Sequence, residues 1–294
     1  NVKTLKKVFN IIGSKEDATK GSYTELMYLI ADASESLDLD HDFAYNETYD
    51  ADNFPDGIIV NKSIIINGNG HSISGMNTYK IFTVSIGNII IKNTVLTNGN
   101  SKYGGAIQAI YKGSNLTLVN VTIKNSTASN EGGAIQSTSG VISIYNSSFI
   151  ANTAGSGAAV YYNVATLLTI DGCEFIDNNA FGTQNVAGGG AITVNSGNLM
   201  LSKSIFKNNT AKMNGGAINL YNFAKVLTIN GCEFTGNTAA TGGAVYVEST
   251  STDVSLLNIS QDSEEFVNID SDKLTIEALN AGTTHVTITL PKVG

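Results

Sequence analysis

Gly-Gly-Ala recurs through the middle of the chain at 104–106, 132–134, 189–191, 215–217 and 242–244, with Ser-Gly-Ala at 156–158 as a degenerate copy. The starts lie 28, 24, 33, 26 and 27 residues apart. A second motif falls between them: an aliphatic triplet, a short turn, then a large apolar residue. It reads Leu116-Thr-Leu-Val-Asn120, Ile142-Ser-Ile-Tyr-Asn146, Leu168-Thr-Ile-Asp-Gly172, Leu199-Met-Leu-Ser-Lys203 and Leu227-Thr-Ile-Asn-Gly231, with earlier copies at Ile64 and Ile89. The large residue that follows is Leu96, Ile123, Phe149, Phe175, Phe206 or Phe234, and after it comes Asn-Thr-Ala or a relative, at Ser126, Asn152, Asn178, Asn209 and Asn237. Two motifs that recur together define a repeat, and self-similarity at this period signals a solenoid or an array.

Within each copy the apolar residues alternate. In Leu168-Thr-Ile-Asp-Gly-Cys-Glu-Phe175, residues 168, 170, 173 and 175 share one side once the Asp-Gly corner is allowed. Period two means strand, and no copy contains a helical run. About 26 residues leave room for three short strands and three corners. One repeat cannot bury its own apolar face, whereas stacking the next copy on it can. The expectation is an all-β, right-handed parallel β-helix with like residues of successive coils roughly 4.8 Å apart. Phe149, Phe175, Phe206 and Phe234 then form an internal stack, the Asn residues after them a hydrogen-bonded ladder, and the Gly pairs a corner needing positive φ or close approach. A β-propeller needs blades of roughly 40 residues and fits the spacing poorly.

Composition agrees. Gly (30 residues) and Asn (34) tolerate left-handed corners, while Pro is held to 2. All 17 basic residues are lysines, and the net charge of −8 argues against nucleic acid as a partner. No apolar stretch approaches the roughly 20 residues of a membrane-spanning helix, so membrane insertion is not expected. Asn1-Val-Lys-Thr does not open a signal peptide, and the chain is expected to be a processed or excised segment.

Three regions are expected: an N-terminal arm (1–21), the β-helix (22–250) and a C-terminal β segment (251–294). Ser22-Tyr-Thr-Glu25 reads as a capping box opening a helix over about 23–34, whose Tyr23, Leu26, Met27, Ile30 and Ala33 plug the first coil. Ser36 to Phe43 alternates as a strand with Asp38, Asp40 and Asp42 on its solvated side. After 250, two alternating stretches flank Ala281-Gly-Thr-Thr, either half of an Ig-like module or a cap.

The Gly-Gly-Ala-Ile and Phe-x-x-Asn-Thr-Ala alternation resembles the adhesin-like surface proteins of methanogenic archaea and is similar to the repeats of chlamydial polymorphic outer-membrane proteins. Asp56-Gly-Ile-Ile-Val-Asn-Lys-Ser-Ile-Ile-Ile-Asn-Gly-Asn-Gly-His71 resembles the first coils of the archaeal group. The likeness covers about residues 22–250. It implies a pectate-lyase-like β-helix, secretion, cell-surface display, an adhesive role and Ig-like modules after the helix.

For chemistry the chain offers little. Glu174 and Glu233 occupy equivalent outward positions two coils apart, roughly 9–10 Å, near the upper limit for an inverting carboxylate pair. Ile205 holds the position between them, and solvated carboxylates explain both better. Asp38, Asp40 and Asp42 imitate a calcium loop but fit a strand, while Asp50, Asp52 and Asp56 share a Pro-containing loop that is a weak calcium candidate. His41, His71 and His285 show no metal-ligand spacing. No cofactor, metal or catalytic residue is expected. Cys173 and Cys232, with Ser204 between them, sit two rungs apart, beyond the roughly 4.4–6.8 Å Cα reach of a disulfide, and are expected as buried free thiols.

The expected function is therefore a non-catalytic, extracellular adhesin-like display module that binds a cell-surface polysaccharide or protein ligand. The 181–189 insertion lies where solenoids often place a binding loop, and Tyr111, Tyr161 or Tyr162, and Tyr221 are the candidate exposed aromatics. Sequons at Asn46, Asn61, Asn115, Asn120, Asn125, Asn146, Asn208 and Asn258 suit a glycosylated surface. Two other classes stay open: a filament or surface-layer subunit that self-associates through its ends by strand donation, and a polysaccharide lyase or glycoside hydrolase.

Overall fold

A computed structural model describes residues 18–248 apart from 112, 139, 164–165, 185–186 and 222–226, together with the backbone of four short strands in the tail. The arm expected at 1–21 lies almost wholly outside the described residues, as do most of the tail and the side chain of Asn258.

The described chain winds as a parallel β-solenoid of about seven turns. The triplets stack as the sequence pattern demands: Ile64, Ile89, Leu116, Ile142, Leu168, Leu199 and Leu227 follow one another in register. The hand of the winding rests on the general rule that parallel crossovers are right-handed. The coils opening with Gly87–Thr97 and Ser114–Lys124 have the expected three strands, whereas in the next three coils the first strand splits in two, as in Val141–Tyr145, Ser148–Ile150, Thr153–Ala154 and Val160–Tyr162. The first two belong to one bent sheet, so the section has three sheets, of 15, 5 and 10 strands.

Corners explain the Asn excess. One residue in the left-handed region bends the chain between the first and second segments: Asn93, Asn120, Asn146, Gly172, Lys203 and Gly231. Another follows the second segment at Asn98, Asn125, Ala151, Asp177, Asn208 and Gly236. Asn tolerates positive φ better than most side chains.

The third corner needs glycine for a second reason. At Gly132 (φ +66) a Cβ would lie 2.2 Å from the Ile135 carbonyl oxygen, and at Gly133 one would lie 2.4 Å from the Ala158 carbonyl oxygen of the next coil. This geometry corrects one alignment. Gly157 (φ +56) bears the same relation to Val160, and Ile135 registers with Val160, so the degenerate copy is Gly157-Ala158-Ala159 rather than 156–158.

The interior follows the expected columns. Phe149, Phe175, Phe206 and Phe234 stack with ring centroids 4.9, 4.7 and 5.0 Å apart and interplanar angles of 6°, 3° and 11°. Beside them runs the amide ladder. The Nδ2 of Asn152, Asn178 and Asn209 each donates to the next rung's Oδ1, at 3.1, 2.9 and 2.9 Å. Each also donates to a backbone carbonyl, those of Ile123, Phe149 and Phe175, all at 2.9 Å. Each of these three ladder amides is thus satisfied by neighbouring coils, which ties register to hydrogen bonding. At the narrow second sheet, of five strands, the inward column is alanine: Ala128, Ala154, Ala180 and Ala211.

The helix Tyr23–Asp32 covers the first coil, with Ser22 Oγ accepting from Glu25 N at 3.1 Å. It is two residues shorter than expected. Tyr23, Leu26 and Ile30 are buried, with Met27 and Ala33 packed partly against them. Ser36–Phe43 is not one strand. Ser36–Asp38 pairs with Ile65–Asn67 and Phe43–Ala44 with Ile73–Ser74, because residues 39–42 make the coil's first corner. Asp38, Asp40 and Asp42 are nonetheless exposed and Leu39 and Phe43 buried. At the other end, His285–Thr289 pairs antiparallel with the last coil's first strand and Thr275–Ala278 with Val245–Glu248.

Candidate binding cleft

The third-sheet strands place one residue of each coil outward in a single column: Ile59, Thr83, Gln108, Gln136, Tyr161, Thr193 and Asn219. Outward residues of a solenoid are normally wet. Here Gln136, Tyr161 and Thr193 are buried, because the preceding glycine corner folds over them. A Cβ at Gly132 would come within 2.8 Å of Gln136 Cβ, and one at Gly189 within 2.4 Å of Thr193 Oγ1. Glycine therefore brings backbone onto the outer face and shelters polar side chains there. The sheltered side chains bond along the axis, with Gln108 Nε2 donating to Gln136 Oε1 at 3.2 Å.

At the 181–189 insertion this sheltered strip widens into a cleft of about 350 Å³. Ser129, Asn130 and Glu131 form one wall, Tyr161 and Thr193 the floor, Asn195 and Tyr221 the far end, and Phe181 to Gln184 the rim. The insertion is pinned at both ends. Phe181 N and Gly182 N donate to Ala154 O and Gly155 O, both at 2.9 Å. Gly188 O accepts from Ser156 Oγ at 3.1 Å and Thr193 Oγ1 at 2.9 Å. Gly182 lies so close to the preceding coil that a Cβ there would stand 2.3 Å from Gly155 O.

Burial perturbs two titratable groups of the cleft. It raises the Glu131 carboxyl above the usual carboxylate range, against hydrogen bonds from Tyr161 and Gln136 that favour the charged form. It also raises the Tyr161 hydroxyl, which hydrogen-bonds to the side chains of Asn195 and Glu131.

Two stretches of this chain, residues 203–220 and 231–248, match the Chlamydia polymorphic membrane protein repeat. Each matched stretch is the same part of a coil. It begins at the corner before the second strand, passes one phenylalanine of the stack (Phe206, Phe234) and one rung of the amide ladder (Asn209, Asn237), and ends on a third-sheet strand. The same residues recur structurally in coils outside the match, at Phe149 and Phe175. The match supports the chlamydial likeness read from the sequence and does not bear on the archaeal one. Comparison with curated proteins and with solved structures gives no match.

The other candidate residues fall elsewhere. Tyr161 and Tyr221 reach the cleft, whereas Tyr162 is buried in the core and Tyr111, 50% exposed, stands apart. Glu174 and Glu233 register with Ile205 between them, and Ser148 Oγ donates to Glu174 at 3.3 Å. Neither glutamate lines the cleft. Asp50 is fully buried and accepts from Tyr23 N, Thr24 N, Thr24 Oγ1 and Asn46 N, so its carboxylate anchors the capping helix. Asp38, Asp40 and Asp42 bond to different partners, Asn67, His41 and Ser72.

Cys173 and Cys232 are buried and unpaired, and Ser204 Oγ accepts from Cys173 N at 3.1 Å. Of the sequons, Asn61, Asn115, Asn120, Asn125, Asn146 and Asn208 are exposed, and Asn46 caps the helix Glu47–Asp50. Asn120, Asn125, Asn146 and Asn208 are left-handed corner residues, so corner chemistry alone accounts for an Asn there.

Proposed function

We propose that the protein is a surface-displayed, non-catalytic binding module of adhesin type, a short rigid rod roughly 34 Å long from about seven coils at about 4.8 Å each. The observation that carries the reading is the match of two coils to a repeat of polymorphic membrane proteins, together with its structural recurrence along the rod. The solenoid supplies a stiff support, and the cleft supplies a recognition surface that is held in place by backbone hydrogen bonds. Exposed sequons suit glycosylation and extracellular display.

The chemistry favours binding over hydrolysis. Glycosidic cleavage ordinarily needs two carboxylates facing one bond. Glu131 is the one carboxylate among the described cleft residues, and Glu174 and Glu233 are separated by a whole coil bearing Ile205. Strand donation between copies is disfavoured by the ends: the Tyr23–Asp32 helix covers one, and the tail strands extend both main sheets at the other, which supports the cap reading of the tail. The protein should bind intact cells or extracted cell-surface material as a monodisperse rod and release no reducing or unsaturated ends from a polysaccharide panel. Product release, or filaments growing with concentration in electron micrographs, would displace this reading.

A further inference from the structure

The 350 Å³ cleft is not explained by the solenoid, because a coil needs neither the 181–189 excursion nor a buried polar column on its outer face. We infer that the cleft is a saccharide site for one or two units of a neutral sugar, an inference that rests on the binding-module reading above and names the ligand class.

Size comes first. Small-molecule pockets occupy roughly 300–1,000 Å³, so this one is at the small end and suits a sugar unit better than a folded partner. Next comes the lining. Phe181, 37% exposed, stands at the rim and Tyr221, half-buried, at the far end, and two aromatic rings give the apolar faces of a sugar ring something to stack on. Between them the polar groups are those a polyol needs: the Asn130, Gln184 and Asn195 amides and the Glu131 carboxyl, donors and acceptors mixed.

Charge then narrows the class. Glu131 is the lone ionisable carboxylate of the cleft, and no lysine lines it, so an anionic sugar would meet repulsion with nothing to offset it. A wholly apolar ligand would cover the half-buried Glu131 carboxyl and Asn195 amide while offering neither a hydrogen bond. A neutral, hydroxyl-rich ring satisfies both conditions. These groups are also set in advance: Tyr161 hydrogen-bonds to Glu131 and Asn195 before any ligand arrives, so little ordering is left to oppose binding.

The test uses the full chain on a printed array of neutral and acidic oligosaccharides, followed by calorimetric titration of the array hits. Phe181→Ala and Glu131→Gln act on the cleft, and Tyr111→Ala serves as a remote exposed aromatic. The expected result is binding to neutral glycans, weakened about ten-fold or more by each cleft substitution and unchanged by Tyr111→Ala. Thermal unfolding verifies that each variant is folded. Binding to acidic glycans alone, binding insensitive to both cleft variants, or no array binding while cell attachment persists would overturn the saccharide inference and leave the display reading standing. Sugar cleavage would overturn the display reading itself.

Discussion

Replacing Asn178 by alanine removes the middle of the amide ladder and should be among the most damaging small changes in the rod. Asn178 is fully buried. Its Nδ2 donates to Phe149 O and Asn209 Oδ1, both at 2.9 Å, and its Oδ1 accepts from Asn152 N at 3.0 Å and Asn152 Nδ2 at 3.1 Å. Asn152 Nδ2 keeps its bond to Ile123 O, and Asn209 Oδ1 keeps its bond from Asn178 N. One buried group is left with nothing, the Asn152 backbone N–H, and the Phe149 carbonyl, paired in its strand, loses its side-chain donor. At about 1–3 kcal/mol for the orphaned N–H and about 0.5–1.5 kcal/mol for the lost hydrogen bond, the loss is about 2–4 kcal/mol. Urea unfolding followed by circular dichroism should show a lower midpoint, and amide exchange at Asn152 should speed up selectively. A loss below about 1 kcal/mol with Asn152 still protected would refute the claim that the ladder links one coil to the next.

Phe175→Ala, in the middle of the ring stack, should cost about 3–5 kcal/mol, whereas Phe181→Ala on the exposed rim should stay within about 0.5 kcal/mol, both read from denaturant midpoints. Burial pushes the Cys173 and Cys232 thiols up to about 11, so native protein at pH 8 should resist thiol reagents, and two thiols should titrate after denaturation without reductant. Finding none would mean a disulfide and a different coil alignment. Because folding raises the Glu131 carboxyl above its ordinary value of 4.5, the folded state binds the proton more tightly than the unfolded chain. Its contribution to stability is full below that value and is lost as pH rises through the folded one. Glu131→Gln should therefore flatten the fall of melting temperature on going from acid to neutral pH, and an unchanged slope would assign that fall to other groups.

Much of the rod is legible from the sequence because a solenoid repeats its constraints. Phe149, Phe175, Phe206 and Phe234 recur at one place in the unit, and stacking turns that recurrence directly into contact. The amide ladder and the glycine corners follow for the same reason. The misplaced copy at 156–158 shows the limit. Ser156 precedes the true corner, and Ala158 stands where other coils carry a second glycine, so letter matching slipped by one residue while strand register did not. The alternation over Ser36–Phe43 likewise identified the inward residues but not the corner at 39–42, since a corner that keeps side-chain alternation looks like continuous strand.

The cleft was harder to read. Glu131, Tyr161, Asn195 and Tyr221 come from successive coils and share no local motif. They meet only because the coils stack and the glycine corners fold over the outer face. A signal did exist: the outward column of the third sheet changes from Ile59 to Gln108, Gln136 and Tyr161, and the one long interval between repeats falls beside it. Tyr161 and Tyr221 stand out in the sequence as candidates, whereas no local motif singles out Glu131.

The most direct test is proton NMR of chain labelled only in its phenylalanine rings, with each signal assigned by a single Phe→Leu variant. Ring centroids 4.7–5.0 Å apart predict strong through-space cross-peaks from Phe149 to Phe175, from Phe175 to Phe206 and from Phe206 to Phe234, and none from Phe149 to Phe234. Rings without this sequential chain of contacts, or a cross-peak joining its two ends, would contradict the stacked solenoid.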